Sequence, residues 1–268
     1  MKHVFLLTDF SAKARNAAAY AVRLFDCRTV SFTLINAFDI EYCGTPYISQ
    51  LRNDLANDSV ENLNDEREYL LTIAPEARIE VAARFGRLVD VVNAENAECP
   101  ADFAVVGCED ESVLENFLLG SNTYELIKFA DMPIVVVPGK AAYERPTRVT
   151  FATDMLTVGN EVQLRRTAEL IGSVGAEVMF LNVAEAEPSD NDEAKAQLAS
   201  AFNASDISFT KIRMGDVRKG ILDFMDERKS QMCALIHRDL GLIDRMFRPS
   251  ITKKMILEPQ HPMIIVRS

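Results

Sequence analysis

Residues 1–11 read MKHVFLLTDFS, and residues 147–157 read TRVTFATDMLT. Both are short apolar runs that end in Thr-Asp, so the chain opens its two halves in the same way. It closes them alike as well: Asp131-Met132-Pro133-Ile134-Val135-Val136-Val137 is answered by His261-Pro262-Met263-Ile264-Ile265-Val266. A unit of this length is a whole domain, too long for one repeat of a solenoid. The register supports duplication. Asp9 and Asp154 stand 145 residues apart, whereas Gly86 and Gly215, Ser121 and Ser250, and Pro133 and Pro262 each stand 129 apart. One offset replaces the other between the second and third strands of each half, so the first half carries 16 extra residues there. That stretch is polar and reads as surface, where loops tolerate length.

The intervening pattern alternates strands with helices. Val4–Leu7 is apolar enough to be buried on both faces. Ser11 stands where an N-cap belongs, ahead of an Ala-rich helix over Ala12–Phe25. Strands are expected at Val30–Asn36, Ile79–Arg84, Phe103–Val106 and Ile134–Val137. Helices are expected in the later part of Ile40–Pro75, over Leu88–Asn96, and within Leu114–Phe129. The second half repeats this order, with strands at Val149–Ala152, Val178–Val183, Ile207–Ile212, Cys233–Ile236 and Met263–Val266, and helices at Glu161–Ile171, Glu193–Phe202 and Val217–Asp226. Such alternation implies βαβ crossovers and a parallel sheet. Lys140–Pro146 reads as a linker and divides the chain into domains at 1–140 and 146–268.

Composition sets outer limits. The chain has 268 residues, 48% of them apolar, which is ample for two cores. Its net charge of −11 disfavours a nucleic-acid partner and an anionic membrane surface. Residue 1 onward has the pattern of a strand, not of a signal peptide, and no apolar run approaches the ~20 residues of a spanning helix. Cys27, Cys43, Cys99, Cys108 and Cys233 are odd in number and contain no Cys-x-x-Cys pair, so a reduced, cytoplasmic protein is expected. Cys108 ends a strand near the candidate site; the other cysteines read as packing residues.

Parallel sheets bind ligands beyond the carboxyl ends of their strands. Two stretches of the first half converge there: Thr8-Asp9-Phe10-Ser11 after the first strand, and Gly107-Cys108-Glu109-Asp110 followed after nine residues by Gly120-Ser121. Glycine allows a phosphate close to the backbone, and Gly-Ser at a helix start offers amides and a hydroxyl. Each residue also has a plainer reading: Asp9 and Ser121 as helix-start acceptors, Gly86 and Gly215 as turns. His237-Arg238-Asp239-Leu240 spells the beginning of a kinase catalytic loop, but Asp244 stands where its Asn belongs and the accompanying motifs are missing. No nucleophile–base pair, carboxylate dyad or metal cluster is apparent from the sequence.

Asp9-Phe10-Ser11, Gly107 with Gly120-Ser121, and Met132-Pro133 leading into the last strand together resemble a universal stress protein domain. The second half resembles one through Asp154, Gly215, Ser250 and Pro262 with the strand that follows. The resemblance covers nearly all of both halves. It implies two tandem Rossmann-like domains of the adenine nucleotide alpha hydrolase-like type, each a five-stranded parallel α/β sheet flanked by helices. It further implies pairing of the two domains through Ile134–Val137 and Met263–Val266 as a pseudo-dimer, with a homodimer as a further partner state. In ATP-binding relatives Asp9 would contact adenine, and Gly107, Gly120 and Ser121 would hold phosphates. Asp110 departs from that pattern, standing where a second glycine is expected. A carboxylate about 4 Å from a phosphate costs roughly 1 kcal/mol in water and about 4 kcal/mol at a partly buried site. A bridging Mg²⁺ would reverse the sign. In the second half Ile236, Asp239 and Pro249 replace all three glycines and only Ser250 remains. The expectation is therefore a cytoplasmic, stress-associated binding or regulatory protein that is not an enzyme. Domain 1 would bind ATP at most weakly, with Mg²⁺, and domain 2 would be a degenerate structural partner. The competing readings are a slow ATPase or adenylyl-transferring enzyme, and a ligand-free protein-interaction module.

Overall fold

The computed structural model describes residues 2–39, 48–108, 121–155, 160–186, 191–204, 208–237, 251, 255 and 260–267. The first half runs β1 (Lys2–Leu7), α1 (Ala12–Leu24), β2 (Val30–Phe38), α2 (Ile48–Ile73), β3 (Arg78–Phe85), α3 (Leu88–Glu98), β4 (Phe103–Cys108), α4 (Ser121–Phe129) and β5 (Ile134–Pro138). The second runs β6 (Arg148–Ala152), α5 (Glu161–Val174), β7 (Glu177–Ala184), α6 (Asp192–Ala201), β8 (Phe209–Arg213), α7 (Val217–Arg228), β9 (Met232–His237) and β10 (Met263–Arg267).

Among the described residues the strands form one sheet in the order β3-β2-β1-β4-β5-β10-β9-β6-β7-β8. Pairing is parallel within each half. It turns antiparallel only where β5 meets β10, with Met263, Ile264 and Ile265 opposite Val136, Val135 and Ile134. The order 3-2-1-4-5 of the first half is thus mirrored in the second, and the two five-stranded parallel sheets continue into one sheet of ten. The central strands explain this. Ile134–Val137 and Met263–Val266 are buried along their whole length, as befits strands with a neighbour on each side and helices on both faces.

Alternate residues of each strand feed two separate cores. Val4 and Leu6 join α1, α2, α5 and α6 on one face; Phe5 and Leu7 join α3, α4 and α7 on the other. Helix α1 can lie close because its buried side is mostly alanine. Local chemistry sets the helix starts: Ser11 accepts from the amide of Ala14, Asn160 from Val162 and Gln163, Asn191 from Glu193 and Ala194, and Asp216 from Lys219.

The extra length of the first half lies where the offsets place it, but it is helical. Helix α2 has 26 residues against 10 in α6. Leu63 and Leu70 anchor its inner face at 0% exposure, while Leu51, Val60 and Tyr69 remain exposed. Gly86 does make a turn that demands glycine, at φ +134°, whereas Gly215 has no such positive φ. The segment read as a linker is ordered. The Tyr143 hydroxyl donates to Arg23 O in α1, and the Arg145 guanidinium donates to Val174 O in α5. Further ties cross between the halves: Arg267 donates to the carbonyls of Lys128 and Ala130 at the end of α4, and Lys2 pairs with Glu169 at 2.9 Å.

Candidate functional site

The carboxyl ends of β1 and β4 carry the residues singled out in the first half. After β1 the chain turns sharply. Thr8 accepts the amide of Phe10 on its hydroxyl at 2.9 Å, and Phe10 takes a left-handed conformation, φ 63°. This region is unfavourable for an aromatic residue and costs about 1 kcal/mol or more, so the surroundings must hold it. The turn directs Asp9 outward. Its Oδ1 accepts the Ser11 amide at 3.1 Å and also the Ser11 hydroxyl. Its Oδ2 pairs with Lys13 Nζ at 3.9 Å, and 61% of the side chain is exposed. Asp9 therefore does brace the start of α1, and its carboxylate remains largely exposed.

A buried chain of hydrogen bonds fixes this turn. Asn36, at the end of β2, donates through Nδ2 to Thr8 O at 2.8 Å, and Ser59 of α2 donates to Asn36 Oδ1 at 2.8 Å. The Thr8 amide donates to Ile35 O at 2.9 Å. Neither Asn36 nor Ser59 stands out in the sequence by itself. The signal that could have found Asn36 is the duplication, since β7 carries Asn182 at the corresponding strand end and buries it.

Gly107 lies in β4 directly beneath the first turn of α1. A Cβ there would fall 2.5 Å from Lys13 O and 2.7 Å from Lys13 C. Glycine at this point lets helix backbone and strand backbone touch, which brings the Asp9 turn and the end of β4 together. Asn16 reinforces the approach by donating to the carbonyls of Pro138 and Ala141. Beside it, Glu66 of α2 is almost fully buried and is held by Arg15 at 2.6 Å, with the Arg15 guanidinium over the Tyr69 ring. That pairing pushes the Arg15 guanidinium further up. Ser121 is the first residue of α4. Asp110 and Gly120, together with Glu109, lie outside the described residues, as do Asp239, Pro249 and Ser250 of the second half.

The second half repeats the turn and alters what surrounds it. Met155 has φ 63°, its amide donates to the Thr153 hydroxyl at 3.2 Å, and the Thr153 amide donates to Leu181 O. Ile236 occupies the place of Gly107, and α5 begins seven residues after Asp154, where α1 begins three after Asp9.

A ten-stranded doubly wound α/β sheet with a Thr-Asp turn at the end of the first strand of each half defines a Rossmann-like protein of duplicated architecture. The sequence profile described as Universal stress protein family matches residues 1–138, and the chain belongs to that family. Among characterised relatives, Universal stress protein G of Shigella flexneri is 41% identical over 90 residues, which cover 34% of this chain and 61% of the relative. Universal stress protein G of Salmonella typhimurium is 39% identical over 61 residues, 23% of this chain and 42% of the relative. The chain thus spans less than two thirds of each of these relatives. In fold, a crystal structure of a universal stress protein from Archaeoglobus fulgidus is similar over 99% of this chain and 98% of its own, with a TM-score of 0.76 at 17% identity. A functionally unknown protein from Pseudomonas aeruginosa PAO1 is similar over 100% and 92%, with a TM-score of 0.55 at 13% identity.

Proposed function

We propose that the chain is a tandem universal stress protein whose first half is a weak adenine-nucleotide site and whose second half is a degenerate copy kept for structure. The observation that carries this reading is the Asp9 turn. Its carboxylate is braced by Ser11 and paired with Lys13 yet is 61% exposed, and Gly107 permits the close approach of α1 that sets it beside the end of β4. An exposed carboxylate at a strand's carboxyl end, with acceptor capacity beyond its present partners, suits the amino group of a purine. Gly120 and Ser121 would take the phosphates, and Mg²⁺ would share Asp110 with them. The antiparallel β5–β10 pair and the Arg267 contacts to α4 support an internal pseudo-dimer. The protein acts by binding and regulation in the cytoplasm, not by turnover.

The test is calorimetric titration of the whole chain with ATP, with and without Mg²⁺. Saturation near one site per chain supports the reading. No heat at millimolar ATP on folded protein would favour an interaction module instead. Asp110→Gly sharpens the test: removing a penalty of up to ~4 kcal/mol tightens Mg²⁺-free ATP binding by as much as about a thousandfold. Unchanged affinity would discard Asp110 as the obstacle.

A further inference from the structure

We propose that Cys99 and His3 form a reactive thiol–imidazole pair at the end of the sheet away from the Asp9 turn, a site for reversible mixed-disulfide formation with low-molecular-weight disulfides. The Cys99 sulfur lies 3.4 Å from His3 Nδ1, and the thiol is exposed. His3 Nε2 lies 2.8 Å from the Thr33 hydroxyl in the neighbouring strand β2. With Nε2–H donating to Thr33, the lone pair of Nδ1 faces the thiol, which is the arrangement of a nucleophile, its base and a group that orients the base. The ring is also held in place. Asp102 grips the His3 backbone on both sides, accepting its amide at 2.9 Å and donating to its carbonyl at 2.7 Å, and the imidazole meets Phe5 edge-on at 5.1 Å.

The other described cysteines lack these features. Cys108 and Cys233 are buried, and burial pushes the Cys233 thiol up to about 12. Cys27 is half-buried and is pushed up by burial and by the charge of Asp26. The sequence reading of Cys99 as a packing residue is therefore corrected: it caps the end of α3, where the helix leaves it on the surface.

The step balances without a further reagent. The Cys99 S–H proton passes to His3 Nδ1, and the sulfur forms a new S–S bond to one sulfur of the disulfide. The reagent's S–S bond breaks, and its second sulfur leaves with the electron pair as a thiolate, which recovers the proton. Charged groups beside the pair include Asp102, paired at 3.2 Å with Arg166 of α5, and, next in sequence, Glu98 and Lys2, the latter paired at 2.9 Å with Glu169 of α5. A thiol modification here thus falls where α5 of the second half meets the first half.

The reduced full chain is reacted with dithionitrobenzoate, and the modified peptide is located by mass spectrometry. Cys99 is expected to react first. His3→Gln is expected to slow the reaction about tenfold near pH 7, because an ordinary thiol is only a few per cent ionised there and a base can recover most of that deficit. The gap should close toward about pH 9.5, where an ordinary exposed thiol ionises unaided. A merely exposed cysteine gives equal rates in both proteins at every pH, and that result overturns the proposal, as does first reaction at another cysteine. If His3→Gln fails to fold, Thr33→Val carries the same test: a severalfold loss near pH 7 that closes at high pH supports the pair, and an unchanged rate overturns it.

Discussion

The turns after β1 and β6 share a backbone and differ in their floors. Both place a non-glycine residue at φ 63°, and both satisfy its amide with the hydroxyl of a buried threonine two residues earlier. Beneath the first lies Gly107, in contact with the backbone of α1; in the second the matching residue is Ile236 and the helix starts four residues later relative to the aspartate. The turn is therefore common to the fold, whereas the close approach of helix to strand belongs to the first half alone. What duplication preserves is the geometry that lets a strand end. What differs in the second half is the floor: Ile236 stands in place of Gly107, and α5 starts farther along the chain from its aspartate.

The largest test of that contrast is Gly107→Val. Its Cβ cannot share space with Lys13 O, so α1 must lift from β4. The expected loss is about 3 kcal/mol of unfolding free energy in urea, the upper end for overpacking, together with loss of nucleotide binding. Ile236→Val at the matching place should cost only about 1 kcal/mol, as a deleted methylene does. Equal costs would mean that the floors do not differ as described.

Asn36→Leu comes next. It removes the donor to Thr8 O and strands the Ser59 hydroxyl in a buried setting, for an expected loss of about 2 kcal/mol and a weaker nucleotide site. Thr8→Val and Thr153→Val should each cost about 1 kcal/mol by leaving the left-handed residue's amide without its acceptor. The two values should agree, because this element is shared; a large difference would show that the two turns are held differently.

The smallest effect is on pH dependence. His261 lies ahead of β10, in a cleft of about 420 Å³ between Tyr20, the 141–144 segment and the end of α7. Burial lowers its proton affinity, outweighing the attraction of Asp226 at 3.7 Å. The folded chain therefore binds a proton less readily than the unfolded one. The stability this contributes is complete above the ordinary histidine range near pH 6.5 and falls as pH drops through the lowered value. His261→Gln should lose less stability than the parent between about pH 7 and pH 5 in urea titrations at each pH. Parallel curves would remove His261 from the acid response.

Much of this arrangement can be read from residues. The two Thr-Asp runs, the second strand echoes and the constant offset place the strands within a residue or two of where they lie, and Ser11 caps α1 as its position suggests. These are local or periodic signals, and the chain states them twice. The length of α2 was not legible, because a polar surface insertion has the same composition whether helical or not; its buried side mixes Leu63 and Leu70 with the polar Ser59 and Glu66. Gly107 reads in the sequence as a place where a phosphate nears the backbone, whereas the contact seen there is with the Lys13 backbone, brought by the fold. Asn36 and Ser59 meet across 23 residues, and His3 and Cys99 across 96, separations at which single-sequence patterns are silent.

The most direct test compares Asp9→Ala and Asp154→Ala in ATP titrations of the full chain. The account predicts that Asp9→Ala weakens binding by about tenfold or more, the worth of a charge-assisted hydrogen bond, while Asp154→Ala leaves it unchanged. Loss of binding in Asp154→Ala with retention in Asp9→Ala would place the working site in the half described here as structural and contradict the account.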